Sequence, residues 1–271
     1  MLRSRLEGVQ GWLSFEGWGE YPLFSTKQGA GRAALLGTGL GCCLGLHAGG
    51  FIALSAWQLF GTISPRIFLA WQWCAFATVH SIFHLLEYFT TALCNPTVAS
   101  SDSFLVNHST AYTAATLTSW TEFLLRFTFR PTWNVPSSVA FVGLGVVFVG
   151  QFIRSAAMIT AGQSFNHLIQ TYKKENHVLV THGVYSILRH PSYVGWFYWS
   201  IGTQLVLGNV LHATLFAFVS WNFFNRRIPF EEESLCAHFP EEYPKYMRKT
   251  WMGIPFLKSN IPSRASNHKQ Q

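Results

Sequence analysis

Arg189-His190-Pro191-Ser192-Tyr193-Val194-Gly195 opens an apolar run that reaches Leu207. Gly208-Asn209 separates it from a second run over 210–225, which ends in Arg226-Arg227-Ile228-Pro229-Phe230-Glu231-Glu232-Glu233. So short a break between two apolar runs predicts an antiparallel helical hairpin. A hairpin returns the chain to the side it left, so the Arg/His block and the Arg/Glu block meet at one end. Charged residues at the ends of apolar spans are costly to keep. Their meeting predicts a polar site at a membrane face, suited to an enzyme that acts on membrane-embedded substrates.

Composition agrees. Of 271 residues, 49% are hydrophobic, 16% aromatic and 11% charged, against about 25% charged in soluble domains. Mean hydropathy is +0.20. Six apolar blocks, at 33–60, 67–92, 104–128, 137–161, 191–207 and 210–225, approach the ~20 residues that a spanning helix needs. The expected fold is all-α: a polytopic integral membrane protein of six to eight transmembrane helices, the first block being long enough to divide near Gly49-Gly50. The net charge of +7 fits cytosolic loops of a membrane protein better than nucleic-acid binding, for which no basic recognition helix is present. Basic residues gather in 1–32, 162–190 and 226–271. With six spans these share one side, which the positive-inside rule makes cytosolic. Arg126 and Arg130 then fall on the other side. The first ten residues lack the apolar core of a signal peptide, so the first span is expected to act as the targeting signal. The last residues carry no prenylation box.

Within the first block Gly37, Gly41, Gly45 and Gly49 recur every four residues, which predicts a close helix–helix face. In the second, His80, His84 and Glu87 share one helix face. They read as a buried polar stripe, or as part of a metal site that still lacks a further ligand. Cys42, Cys43, Cys74, Cys94 and Cys236 form no CxxC pair and read as structural thiols. The chain divides into an N-terminal interfacial segment (1–32), a helix bundle (33–161), a catalytic region (162–257) and a polar tail (258–271).

Residues 162–190 form the longest polar stretch. Val178 to Tyr185 is β-branched with one glycine and reads as an extended loop or short hairpin. Pro191 suits the first position of a helix, whose N-terminus offers N–H donors to an anion near Ser192 and Tyr193. Arg227 and Glu231 are one turn apart. They read either as a structural ion pair or as a carboxylate clamp beside an acidic ligand contact.

Gly162-Gln163-x-Phe165-Asn166-His167, His177-x-Leu179-Val180-x-x-Gly183-x-Tyr185, Arg189-His190-Pro191-Ser192-Tyr193-x-Gly195-Trp196-Phe197-Tyr198-Trp199 and Arg227-Ile228-x-x-Glu231-Glu232 together resemble the isoprenylcysteine carboxyl methyltransferase family. The strong match covers about residues 160–257. A weaker one takes in Phe83-His84-x-x-Glu87-Tyr88 and Asp102-Ser103-Phe104-Leu105-x-Asn107-His108-Ser109. The Arg-His-Pro-x-Tyr-x-Gly element alone also resembles phospholipid methyltransferases and membrane sterol reductases, and a non-catalytic scaffold is a further alternative.

The resemblance implies methyl esterification of the C-terminal prenylcysteine carboxylate of processed CaaX proteins, such as small GTPases. It implies an endoplasmic reticulum membrane, and S-adenosylmethionine bound at the cytosolic side without a Rossmann domain. The implied cofactor contacts are Gln170, His177, Val178, Leu179, Val180, Tyr185, His190, Pro191, Ser192, Tyr193 and Glu231. The implied substrate and catalytic residue is Arg227. Glu233 extends the acidic run, so Glu231, Glu232 and Glu233 compete for the cofactor role, with Glu231 preferred. Tyr185, Tyr193 and Trp196 are candidates to face a sulfonium.

Overall fold

The computed structural model describes residues 29–61, 64–106, 110–132, 135–167, 169 and 178–257. Gln170, His177, most of the N-terminal segment, the Asn107-His108-Ser109 sequence and the polar tail lie outside the described residues.

Among the described residues six long helices make up the body. They are α1 (Ala30–Phe60), α2 (Pro65–Cys94), α3 (Thr110–Phe129), α4 (Ser137–Ala161), α5 (Pro191–Leu207) and α6 (Val210–His238), followed by the short α7 (Glu242–Met247). No strand occurs among the described residues, only an isolated bridge between Leu188 and Trp251. Ala30–Leu59 and Ser137–Ser164 are long and apolar enough to cross a membrane by length and composition alone. α1 runs unbroken through Gly49-Gly50. The third apolar block begins later than hydropathy suggests. Leu105 has φ 56°, a left-handed conformation that no helix continues through, so α3 starts at Thr110. α6 outlasts its apolar run by more than three turns and carries Pro229 within it.

The glycine ladder of α1 is not a packing seam among the described residues. Among them a β-carbon on Gly41, Gly45 or Gly49 would meet nothing within 4 Å, and one on Gly37 only Phe104 at 3.7 Å. The close approach occurs between α4 and α5. A β-carbon on Gly150 would lie 2.7 Å from the Gly195 carbonyl oxygen, and one on Gly195 would lie 2.6 Å from that of Gly150. Gly143 against Val206 (2.6 Å) and Gly202 against Val147 (2.9 Å) repeat the contact about two turns away. Four-residue spacing permits close approach, but the seam forms where the partner backbone arrives. Gly150→Ala is therefore expected to lower the apparent Tm by several degrees, while Gly45→Ala leaves it unchanged or raises it slightly. Thermal unfolding of both variants in one detergent checks this, and equal effects would place the seam wrongly.

The turn between α5 and α6 is held from the side by α3. Gly208, with φ 70°, ends α5. Arg126 donates to the carbonyls of Leu207 and Gly208, where the helix C-terminus is negative. One turn earlier on α3, the Glu122 carboxylate accepts the His212 N–H at 3.3 Å, near the positive end of α6. Ser119 donates to Gln204 (2.7 Å), and Asn209 donates to the Ser119 carbonyl (2.9 Å). Arg126, off-pattern for loop charge, is thus a helix cap.

At the opposite end the C-terminal segment covers the hairpin. Met252 and Ile254 pack with Val194, Phe197, Phe224 and Ile228. The Arg189 N–H donates to the Trp251 carbonyl and the Trp251 N–H to that of Ile187, both at 2.9 Å.

Candidate active site

The two blocks that predicted the hairpin meet at this covered end. Tyr193, in the first turn of α5, donates its hydroxyl to Glu231 Oε2 at 2.6 Å. Arg227 Nε donates to the same Tyr193 oxygen at 2.8 Å, and Nη2 to the His167 carbonyl at 2.7 Å. The Arg227 guanidinium carbon lies 5.5 Å from the Tyr193 ring centroid and 5.7 Å from that of Phe223. Arg227 and Glu231 are therefore joined through a tyrosine rather than paired directly. The three glutamates separate by environment. Glu231 lines the cavity. Glu232 is buried, 3.3 Å from His190 Nε2 and 3.6 Å from Arg189 Nε. Glu233 is exposed.

These groups surround a cavity of ≈ 580 Å³. Among the residues expected from sequence, Val178, Leu179, Val180, Tyr185, His190, Ser192, Tyr193, Arg227 and Glu231 lie on its wall. Pro191 is buried as the first residue of α5 and is not on the wall. The Val178–Thr181 backbone has no strand partner among the described residues, and Gly183–Ser186 forms a 3₁₀ turn. On this side the cavity also meets Phe239, Tyr243 and Tyr246. Tyr246 donates to the Tyr185 carbonyl at 2.7 Å, tying α7 to the loop. Burial raises the phenol pKa of Tyr185, Tyr243 and Tyr246, which remain O–H donors at neutral pH. The Tyr243 hydroxyl is buried with no hydrogen-bond partner among the described residues, so its donor is available to a ligand.

A second charged layer lies behind the first. Glu87 of α2 takes Arg154 of α4 in a bidentate pair, through Nε and through Nη2 (2.8 Å). Arg154 Nη1 donates to the Ser192 hydroxyl at 2.9 Å and carbonyl at 3.1 Å. His167 Nε2 donates to Glu87 at 3.0 Å, and Asn95 at the end of α2 donates to the carbonyls of Gln163 and Phe165. Glu87 thus fixes both the first turn of α5 and the loop whose carbonyl holds Arg227.

The stripe expected on α2 is buried and engaged: His84 Nδ1 donates to the Phe104 carbonyl at 2.6 Å, and its Nε2 lies 3.1 Å from His80. Among the described residues no three His, Cys, Asp or Glu are placed to hold a metal ion. Sequence reasoning left Arg154 without a role, although a lone arginine in an uncharged span is itself a pointer to a site.

Past Arg227 the cavity turns apolar. Ala111, Tyr112, Ala114, Ala115 and Thr118 of α3 face Leu215, Phe216, Val219, Ser220, Phe223 and Phe224 of α6 across it, with Trp196 between. Of the neighbouring aromatics, Trp199 stacks on Phe83 at 4.0 Å, Tyr198 donates to the Gly253 carbonyl and Trp221 to that of Pro255. They are packing residues.

A polar, aromatic chamber that opens into an apolar groove beside a helical hairpin defines an intramembrane enzyme for a substrate that is polar at one end and apolar at the other. A solved eukaryotic intramembrane Ras methyltransferase, isoprenylcysteine carboxyl methyltransferase, shares the fold, with a TM-score of 0.73 and 39% identity over 84% of this chain and 76% of that one. Residues 142–237 match the isoprenylcysteine carboxyl methyltransferase family. Protein-S-isoprenylcysteine O-methyltransferase of Xenopus laevis is 46% identical over 227 residues, 84% of this chain and 73% of the relative. That of Homo sapiens is 44% identical over 227 residues, 84% of this chain and 74% of the relative. The chain belongs to the isoprenylcysteine carboxyl methyltransferase family.

Proposed function

We infer that the protein transfers a methyl group from S-adenosylmethionine to the C-terminal carboxylate of a prenylated cysteine. The observation that carries this is the position of Arg227 at the junction of the cavity's two halves. Family membership disfavours the phospholipid methyltransferase and sterol reductase alternatives.

The residues on the chamber wall suit the methyl donor. Tyr243 offers an unused buried hydroxyl. Glu231 is an acceptor for an ammonium or for ribose hydroxyls. Tyr193 is stacked on His190 and Phe224, which leaves Tyr185 and Trp196 to offer a π face to a sulfonium, and Val178 to Val180 supply an apolar wall. Gln170 and His177 belong to the same reading by resemblance. Bound there, S-adenosylmethionine would supply an electrophilic methyl group on a sulfonium, to be taken by a carboxylate oxygen held at Arg227.

A terminal carboxylate has a pKa near 3.5 and is already ionised at neutral pH, so no general base is needed. Arg227 holds and aims the anion by charge-assisted hydrogen bonds. Its own bonds to Tyr193 and His167 remove the rotamer freedom that would blur the aim. The reaction joins an anion to a methyl group carried by a cation and leaves neutral products. A chamber of high polarity would favour the charged reactants over the transition state, whereas an aromatic chamber whose other arginines, Arg154 and Arg189, are already paired with Glu87 and Glu232 does so less. The prenyl chain runs into the groove between α3 and α6.

The substrates are processed CaaX proteins such as small GTPases. The protein sits as a multi-pass enzyme in the endoplasmic reticulum bilayer. Among the described residues Arg189, Arg226, Arg227, Lys245, Arg248 and Lys249 belong to the segments at the chamber end, which favours a cytosolic site by the positive-inside rule.

Purified protein in detergent, given radiolabelled S-adenosylmethionine and farnesylcysteine, is expected to yield a base-labile methyl ester. Failure of a folded preparation to label the prenylcysteine, with label appearing on a lipid amine, would overturn this reading.

A further inference from the structure

We propose that Thr118, His212 and Glu122 form a polar floor that limits how far an isoprenoid chain can run into the α3–α6 groove. The proposal rests on the reading that this groove holds the prenyl chain.

The groove has two different ends. Near the chamber its α3 wall carries Ala111, Ala114 and Ala115 beside Tyr112. Thr118 is the wall residue on α3 farthest from the chamber, and Leu215 and Phe216 are the farthest on α6. One turn beyond them, behind the cavity wall, the packing turns polar. His212 Nε2 lies 3.1 Å from the Thr118 hydroxyl oxygen. That hydroxyl lies within bonding reach of the carbonyls of Ala114 (2.9 Å) and Ala115 (3.1 Å). On its other side His212 Nδ1 is bonded to the Glu122 carboxylate. The His212 side chain is 8% exposed and that of Glu122 27%.

This end cannot widen without loss. Arg126, Ser119, Gln204 and Asn209 bind α3 to the hairpin turn directly beneath it. An isoprenoid pushed against the floor would part the Thr118–His212 contact and leave the buried His212 Nε2 facing an apolar chain with nothing in return. From Arg227 to Phe216 the α6 wall is about 16 Å long at 1.5 Å per residue. A longer chain therefore reaches the floor before a shorter one, and the cost of extra length rises there. Chain-length preference is then set at Thr118, far from the reacting atoms.

The test compares kcat/KM for geranyl-, farnesyl- and geranylgeranylcysteine in wild type, Thr118→Leu and Thr118→Ala. Ratios between substrates are read within each variant, so a change in folded fraction cancels. Thr118→Leu raises the floor and is expected to lower the geranylgeranyl-to-geranyl ratio about tenfold, and Thr118→Ala to raise it about threefold, the scale of one or two methylenes in an apolar pocket. Unchanged ratios in both variants would overturn the floor. Ala115→Phe separates the two levels, since it fills the groove above the floor. If it leaves the farnesylcysteine KM unchanged, the chain lies elsewhere and the groove reading itself fails. If it raises that KM while the Thr118 ratios stay fixed, only the floor is wrong.

Discussion

Arg227→Ala is expected to lower kcat/KM for a prenylcysteine by roughly 10²–10³-fold, the range seen when one preorganised donor to a reacting oxyanion is removed. KM should rise and kcat should fall. The anion loses its counter-charge, and its oxygen loses the line of approach. Affinity for S-adenosylhomocysteine should change little, because Tyr185, Glu231 and Tyr243 remain. Arg227→Lys should recover only part of the loss. An ammonium is a point donor, and it cannot bind a carboxylate while also holding the Tyr193 oxygen and the His167 carbonyl as the guanidinium does. Steady-state kinetics with titration calorimetry separate these outcomes. A collapse of cofactor affinity with normal prenylcysteine binding would mean that Arg227 serves the other half of the cavity.

Glu87→Ala should produce the largest loss of stability. It leaves Arg154 buried, at 5% exposure, without its bidentate partner, an omission that costs about 3–5 kcal/mol. At about 2–4 °C per kcal/mol for a chain of this size, the apparent Tm should fall by roughly 10 °C. Activity should fall further than the folded fraction, because Glu87 also holds His167, whose carbonyl holds Arg227. The double variant Glu87→Leu/Arg154→Met removes both charges. It should recover most of the Tm, since a well-packed apolar pair can match a buried ion pair. Activity should not return, because Ser192 and the 162–167 loop lose their anchor. A parent-like Tm for Glu87→Ala would show that Arg154 reaches water or another anion.

The parts legible in sequence share one property: their partners are near in the chain or fixed by a period. Gly208-Asn209 between two apolar runs implies a hairpin, and a hairpin brings residues 189–195 back to residues 226–233. Arg227 and Glu231 share a face because they are one helical turn apart. Pro191 marks a helix start because it has no N–H to leave unbonded. The Arg154–Glu87 pair spans 67 positions and needs α2 beside α4, which no local pattern specifies. The glycines show the same limit. Those of α1 and those of α4 look alike as strings, but only Gly143 and Gly150 meet a backbone.

By itself, then, the sequence determined an all-helical membrane chain, a hairpin with two charged blocks at one end, and a family resemblance concentrated in residues 160–257. These follow from hydropathy, helical period and turn chemistry, which are local. Only the tertiary structure decided which of three glutamates faces the cavity, that Tyr193 stands between Arg227 and Glu231, and that α3 clamps the hairpin turn yet stands off above it to leave a groove. Those outcomes depend on the relative placement of whole helices, through close contacts and buried polar pairs between residues far apart in the chain.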